Sequence, residues 1–147
     1  MSETTLGAAR ITITRTFNAP RDLVFAAWTD PAQFAQWYGT AATTVTDVEM
    51  DVRVGGAWSA RMILGEGNEI PWHGTYTAID PPSHLAMTLA DRPGDEFEPI
   101  TVDFVEVDGG TLMTFKQYGD HMDDAGYAGA EKGWQAFFDD LAAGLAA

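Results

Sequence analysis

The sequence predicts one α+β domain in which an antiparallel sheet of about seven strands packs against a long C-terminal helix. Seven segments alternate apolar and polar residues with the period of a strand, and turn residues separate them. Two short helical segments, each opened by a proline, follow the first strand. From about Met122 the apolar period becomes that of a helix. At 147 residues the chain has the size of a single domain, which we expect to cover 1–147.

The first strand is predicted at 11–17, where Ile, Thr, Ile, Thr, Arg, Thr and Phe alternate. Arg15 lies on the same face as the Ile and Phe residues of this segment. A buried guanidinium needs a partner of opposite charge or several hydrogen bonds. We expect that partner to be Glu131 or Asp139 of the final helix, and a ligand carboxylate is the alternative.

The two helices after the first strand are predicted from their start signals. Pro20 and Pro31 each stand at a favoured first helical position, where the missing N–H costs no hydrogen bond. Asp30 stands at the N-cap of the second helix with Gln33 three residues further on, which is the spacing of a capping box. The segment therefore indicates a corner between two helices.

The other strands are predicted by alternation between short turn segments. The separators GG, GEGN, DPPS, DRPGDEFEP and DGG contain Gly, which tolerates positive φ, and Pro, which fixes φ. Turns of this kind join antiparallel neighbours. These strands are predicted at 44–50, 58–64, 72–79, 85–89, 100–107 and 111–118.

The last hairpin also allows a prediction of register. With Gly109 and Gly110 as the two turn residues, Phe104 would lie opposite Phe115, and an Asp–Lys pair would form on the other face. Moving the turn one residue towards the N-terminus loses both pairs, so we expect the Gly-Gly turn.

The C-terminal helix is predicted to cover an aromatic and Met-rich face of the sheet. Its several glycines weaken intrinsic helicity, so packing must hold the helix in place. The apolar stripe is predicted to consist of Tyr127, Trp134, Phe138, Leu141 and Leu145, with Phe137 at its margin.

Composition excludes several classes of function. The chain has 22 acidic and 8 basic residues, a balance that disfavours binding to nucleic acids and to anionic membranes. It has no cysteine, which excludes disulfides, thiolate nucleophiles and Cys-ligated zinc. No signal peptide or membrane-spanning segment is visible, so we expect a cytoplasmic protein without membrane insertion.

Four segments carry a resemblance to a known family. They are TRTFNAPRDLVFAAWTDPAQFAQWYG, VGGAWSARM, GTYTAIDPPSHLAMT, and the Gly-Trp pair in EKGWQAFFDDLAAGL. Together they resemble the SRPBCC group with START-like or Bet v-like helix-grip folds, and within it the family named for the activator of heat shock protein 90 ATPase. The resemblance implies a strongly curved sheet that grips the C-terminal helix, with an internal cavity between them. Relatives include lipid and polyketide binders, cyclases and a co-chaperone domain, so the resemblance implies no single activity.

A cavity is also indicated by the apolar residues of the predicted sheet face and helix stripe. Small-molecule pockets are mostly apolar, and Met adapts to varied ligand shapes. The alternative, favoured for any single residue, is that these side chains only fill the core. Trp37 and Tyr38 are expected to be exposed, where they would guard an entrance or form a dimer contact, or else to close the end of the cavity. The candidate ligand-binding residues are Arg15, Trp37, Trp58, Met62, Trp72, Tyr76, Met87, Phe115, Trp134 and Phe138.

No catalytic or metal-binding motif stands out. His73 is predicted on the outer face, His84 in a turn, and His121 in the acidic segment DHMDD, which lacks the spacing of a metal site. No nucleophile motif is present, and the loop carboxylates do not form an opposed pair. If the loop DRPGDEFEP covers the cavity mouth, its negative charge would favour neutral or cationic ligands over anions.

The sequence therefore favours a binding protein, without cofactor or metal, whose cavity holds a small hydrophobic molecule such as a lipid or an aromatic metabolite. A chaperone-associated interaction module is the second hypothesis, because the family name suggests it. An enzyme of the cyclase or hydrolase type, using polar groups in the cavity, is the third. A monomer and a homodimer both remain open.

Overall fold

A computed structural model describes residues 9–38, 43–65, 67–91, 99–119 and 122–146 of the chain. It contains the predicted α+β fold, with seven strands and three helices in these residues. In chain order the elements are β1 (Ile11–Phe17), α1 (Arg21–Thr29), α2 (Pro31–Trp37), β2 (Thr44–Met50), β3 (Ala57–Gly65), β4 (Asn68–Asp80), β5 (His84–Met87), β6 (Ile100–Val107), β7 (Gly110–Gln117) and α3 (Asp124–Ala146).

The strands form one antiparallel sheet in the order β1-β7-β6-β5-β4-β3-β2. Consecutive strands from β2 to β7 are neighbours, as their short turns predict, and β1 is added beside β7. β4 has 13 residues and changes partner along its length, because it pairs with β3 up to Thr75 and with β5 from Tyr76 onward. The register of the β4–β5 pairing shifts between Tyr76 and Ala78, close to the point where β4 changes from one neighbouring strand to the other.

The predicted register of the β6–β7 hairpin is wrong, because the two-residue turn begins one residue earlier than expected. The turn residues are Asp108 and Gly109, with φ of 48° and 81°. A two-residue hairpin turn with positive φ at both positions follows the twist of the strands, and Asp-Gly is a favoured sequence for it. Phe104 consequently lies opposite Met113 and not opposite Phe115, and the predicted Asp–Lys pair is absent. Turn geometry decided the register against the cross-strand pairs.

The corner between α1 and α2 is held by the predicted cap. The Asp30 carboxylate accepts hydrogen bonds from the backbone N–H groups of Ala32 (2.9 Å) and Gln33 (3.4 Å). The Gln33 side chain donates to the same carboxylate at 3.4 Å. At the other end of α2, Trp37 Nε1 donates to the backbone oxygen of Ala27 at 2.8 Å, which ties the two helices together.

The core is an aromatic network centred on Trp28. Trp28 is fully buried, and its ring lies near the rings of five other aromatic residues from α2, β7 and α3. The centroid distances run from 4.7 Å to 6.5 Å. These neighbours are Phe34, Trp37, Phe115, Trp134 and Phe138.

α3 covers the sheet with the predicted stripe. Tyr127, Trp134, Phe138 and Leu141 are buried, and Leu145 and Phe137 are partly buried against the core. Among the described residues no helix is long and apolar enough to cross a membrane.

Candidate functional site

Eight of the ten candidate ligand-binding residues are buried together between the sheet, the helix corner and α3. Trp72 is only partly buried, and Arg15 lies at the margin. The eight buried residues belong to one continuous core cluster. The eight are Trp37, Trp58, Met62, Tyr76, Met87, Phe115, Trp134 and Phe138.

Arg15 has its partners within the protein. Its Nη2 donates to Asp139 Oδ1 at 2.8 Å and to Gln135 Oε1 at 2.8 Å. It also donates to the backbone oxygen of Gln135 at 3.0 Å. Asp139 is one of the two partners that the sequence predicts. Arg15 therefore joins β1 to α3, and its charge is balanced by a carboxylate of the same chain.

Trp37 and Tyr38 are not exposed, so the first of the two expectations for them, a place at the surface, is wrong. Their exposed fractions are 2% and 1%. The α1–α2 corner folds inward over the sheet, and the Trp37–Ala27 bond fixes the indole beneath it. The ring of Tyr38 lies among side chains of α2, α3 and β4. Its centroid is 4.5 Å from that of Phe34, 5.3 Å from that of Phe137 and 5.9 Å from that of Trp72. Neither side chain is available at the surface for a dimer contact.

Trp58 crosses the inner face of β4 at a glycine. Trp58 lies opposite Gly74, and its Nε1 donates to the backbone oxygen of Thr88 on the far side of β4 at 2.8 Å. A Cβ atom at Gly74 would lie 2.6 Å from that Nε1 and 1.9 Å from the Thr88 oxygen. Trp72 and Tyr76 flank Gly74 two residues away on each side and share its face. The indole of Trp58 therefore lies between them.

Two polar atoms on this face have no partner among the described residues. They are the hydroxyl of Tyr76 and Nε1 of Trp72, both shielded from solvent. Tyr76 is 1% exposed. A buried donor without an acceptor costs about 1–3 kcal/mol, and most native structures contain few such groups. We call the inner face around Tyr38, Trp58, Trp72 and Tyr76 the interior site.

The indole N–H of Trp134, by contrast, has a hydrogen-bond acceptor within the protein interior. Trp134 Nε1 donates to Gln117 Oε1 at 3.1 Å, and Gln117 is 6% exposed. Sequence reasoning missed Gln117. Gln117 could have been found, because it continues the alternating inner face of Met113 and Phe115.

Both tyrosines of the interior site remain protonated. Burial raises the pKa of Tyr38 well above its ordinary value, and the negative charge of Asp91 raises it further. Burial likewise raises the pKa of Tyr76, with a smaller contribution from Asp51. Each hydroxyl is therefore a neutral phenol that can donate a hydrogen bond at any physiological pH.

These raised values predict a loss of stability at alkaline pH. The contribution is fully present below about pH 10, the pKa of an unfolded tyrosine, and is lost as pH rises towards the folded pKa. The unfolded chain then releases protons that the folded chain keeps. Urea unfolding between about pH 9 and pH 11 should show a smaller loss for Tyr76→Phe than for the unchanged protein. Tyr118→Phe, at a partly exposed tyrosine, is the control, and equal losses in all three proteins would contradict the prediction.

The two described histidines lie outside the interior site. His84 Nδ1 lies 2.7 Å from Asp103 Oδ1, a cross-strand pair between β5 and β6. His73 lies opposite Ser59 on the outer face of β3 and β4. His121 lies outside the described residues. No group of three His, Asp or Glu residues in the described ranges is placed to hold a metal ion.

The outer face of β2, β3 and β4 carries an open groove of about 650 Å³. Arg61 is its main cationic group, and it donates to Asp47 and to Glu69, each at 2.7 Å. The hydrogen bond from Arg61 lowers the pKa of the Glu69 carboxyl below its usual value. Because the guanidinium is engaged by two carboxylates, the groove offers a surface ion-pair network and no open anion site.

The seven-stranded antiparallel sheet, the capped helix corner after β1 and the long C-terminal helix define a helix-grip domain of the START-like class. The chain belongs to the family described as "Activator of Hsp90 ATPase homolog 1-like protein", whose model matches residues 18–146.

Solved structures of bacterial proteins share the fold. Protein CV1439 from Chromobacterium violaceum is 24% identical, with 92% of this chain and 95% of that chain covered and a TM-score of 0.78. A protein from Rhodobacter sphaeroides is 22% identical over 92% of this chain and 90% of its own, with a TM-score of 0.79. Protein Mll3558 from Rhizobium loti is 27% identical over 90% and 94%, with a TM-score of 0.69. Comparison with functionally curated proteins yields no match.

Proposed function

We propose that this protein binds a small, largely apolar molecule at the interior site. The observation that carries the proposal is the Tyr76 hydroxyl, which is buried, protonated and without a partner among the described residues. A ligand with a hydrogen-bond acceptor would satisfy it. The surrounding surface of Trp, Tyr and Met side chains has the chemistry of a small-molecule pocket, which is apolar with few polar groups.

Side chains that rearrange can provide room for the ligand. Met87 lies directly opposite Tyr76 in the β4–β5 pairing and is 1% exposed. Met is unbranched and adapts its shape at small energetic cost. Movement of the Met87 side chain would open space beside Tyr76 without breaking any hydrogen bond of the sheet. Trp72 and Phe137, both partly exposed and both in contact with Tyr38, would supply the aromatic surface towards solvent.

Native mass spectrometry of gently purified protein, followed by a thermal-shift screen with lipids and aromatic metabolites, tests the proposal. We expect a retained molecule of discrete mass or a compound that raises the unfolding temperature. Tyr76→Phe should then lower ligand affinity about 5- to 10-fold, the value of one hydrogen bond. Its unfolding temperature without ligand at neutral pH should stay the same or rise, because the variant removes an unpaired buried hydroxyl.

Tyr118→Phe, at a partly exposed tyrosine, is the matched control and should leave both quantities unchanged. A chain that retains no molecule and responds to no compound would overturn the proposal. So would a Tyr76→Phe variant that loses stability but keeps full affinity.

The alternative function is an interaction module that acts on a chaperone, and the description of the matched family supports it. It is distinguished by the ATPase rate of an Hsp90-class chaperone in the presence of this protein. A stimulation that is equal for Tyr76→Phe and the unchanged protein would favour the interaction module over the ligand-binding function.

A further inference from the structure

The interior site is built from neutral donors and aromatic rings, and its nearest described charges are negative. The turn from Asp51 to Gly56 is bonded to the backbone of Tyr76. Gly55 N–H donates to the backbone oxygen of Tyr76 at 2.8 Å, and Tyr76 N–H donates to the backbone oxygen of Gly56 at 2.9 Å. Asp51 therefore lies at the Tyr76 end of the site. Arg53 balances part of its charge through an exposed ion pair of 2.9 Å.

Asp91 lies at the opposite end of the site. It directly follows Ala90, whose backbone exchanges two hydrogen bonds with His73, the neighbour of Trp72 (2.9 Å and 3.1 Å). Asp91 is exposed, and its charge acts on the hydroxyl of Tyr38. No ion pair of Asp91 occurs within the described part of the chain.

Apart from Arg53, the described cations lie elsewhere. Lys116 is on the outer face opposite Thr12, Lys132 is on the solvent side of α3, and Arg21 begins α1 next to β1. The other described arginines are bound to carboxylates in the pairs Arg10–Asp124, Arg15–Asp139, Arg53–Asp51 and Arg61–Asp47.

Two free-energy costs of binding then decide which class of ligand the interior site favours. A carboxylate brought into this site would leave water without gaining a cation among the described residues, and it would approach Asp91. An ammonium group would leave the Tyr76 and Trp72 donors unpaired, because it has no acceptor. A neutral carbonyl, ester, amide or ether oxygen avoids the first cost and accepts a hydrogen bond from one of the two donors. The donors stand four residues apart on one strand, about 13 Å along β4, so only a ligand with two acceptors satisfies both.

We infer that the interior site selects uncharged ligands that carry hydrogen-bond acceptors and rejects carboxylates, fatty acids included. This inference rests on the proposed function and narrows it to one ligand class. It depends on described residues only and not on the loop of 92–98, which lies outside them.

Three probes of one shape test the selection: 2-acetylnaphthalene, 2-naphthoate and 2-naphthylmethylammonium. Their affinities for the full chain are measured by isothermal titration calorimetry at pH 7.5 and moderate salt. The ketone should bind at least 10-fold more tightly than the carboxylate and more tightly than the ammonium compound. Tyr76→Phe, which removes the donor on which the proposed function rests and keeps the ring, should lower affinity for the ketone.

A charge variant separates a local effect from the overall negative charge. Asp91→Asn should raise affinity for 2-naphthoate several-fold and leave the ketone unchanged. Asp108→Asn removes the same charge in the β6–β7 turn, where positive φ also suits Asn, and should change neither affinity.

The outcomes are distinguishable. If 2-naphthoate binds as tightly as the ketone, or Asp91→Asn and Asp108→Asn act alike, the selection for neutral ligands is wrong and the ligand-binding function stands. If none of the probes binds and native mass spectrometry finds no retained molecule, both proposals are wrong.

Discussion

Replacing Trp28 by Ala is expected to lower the free energy of unfolding by about 4 kcal/mol, within the range for buried Trp truncations. Trp28 is fully buried and contacts rings from α2, β7 and α3, so no single neighbour can fill the space left behind. The loss should appear as a fall of about 10 °C in the unfolding temperature, given about 2–4 °C per kcal/mol for chains near this size. Urea and thermal unfolding followed by far-UV circular dichroism measure it.

The control lies on the same helix. Leu23 in α1 is 53% exposed, and Leu23→Ala should change stability by no more than about 0.5 kcal/mol. Trp28→Phe should cost less than Trp28→Ala, because it keeps a ring and removes an indole N–H that has no partner among the described residues. A loss below about 1 kcal/mol for Trp28→Ala would show that Trp28 is not at the centre of the core.

Replacing Gly74 by Ala is expected to cost about 3 kcal/mol or more, although it adds a single methyl group. The new Cβ would lie 1.9 Å from a backbone oxygen, Thr88 O, which cannot move without separating β4 from the segment after β5. It would also meet Trp58 Nε1 at 2.6 Å and break the Trp58–Thr88 hydrogen bond. Unfolding in urea, with Trp fluorescence as a second probe, measures the effect.

Gly129 provides the matched control in α3. A Cβ at Gly129 would meet nothing within 4 Å, so Gly129→Ala should raise the free energy of unfolding by about 0.5–1 kcal/mol through helix propensity. Opposite signs for the two Gly→Ala changes are therefore expected. If Gly74→Ala is as stable as the unchanged protein, the indole of Trp58 does not cross β4 at this glycine. If Gly74→Ala fails to fold, a low soluble yield of this variant beside a normal soluble yield of Gly129→Ala supports the same steric cause.

Features that depend on neighbouring residues were predictable from sequence. The capping of α2 by Asp30 was predicted because the cap and its donors lie within three residues of one another. The buried stripe of α3 was predicted because its period is a property of one helix. The Arg15–Asp139 pair lies 124 residues apart in the chain, yet burial of a charge on an apolar face demanded a partner, and the final helix offered one.

Features that depend on how layers meet were not predictable. Tyr38 looked like an exposed residue at the end of a short helix, and only the inward fold of the corner shows that it is buried between Trp72 and Phe137. The β6–β7 register followed the twist of the turn and not the cross-strand pairs, because backbone conformation at Asp108 and Gly109 outweighs two side-chain contacts.

For this protein, then, the amino-acid sequence by itself determined the strands, the helices and the excess of negative charge. These follow from local periodicity, turn chemistry and composition, each of which is written in a short stretch of chain. Only the tertiary structure decided that Gly74 lets Trp58 cross β4, and that the Tyr76 hydroxyl and the Trp72 indole are buried without described partners. The physical reason is that a hydrogen bond or a steric contact between strands depends on register and on curvature, and alternation along one strand specifies neither.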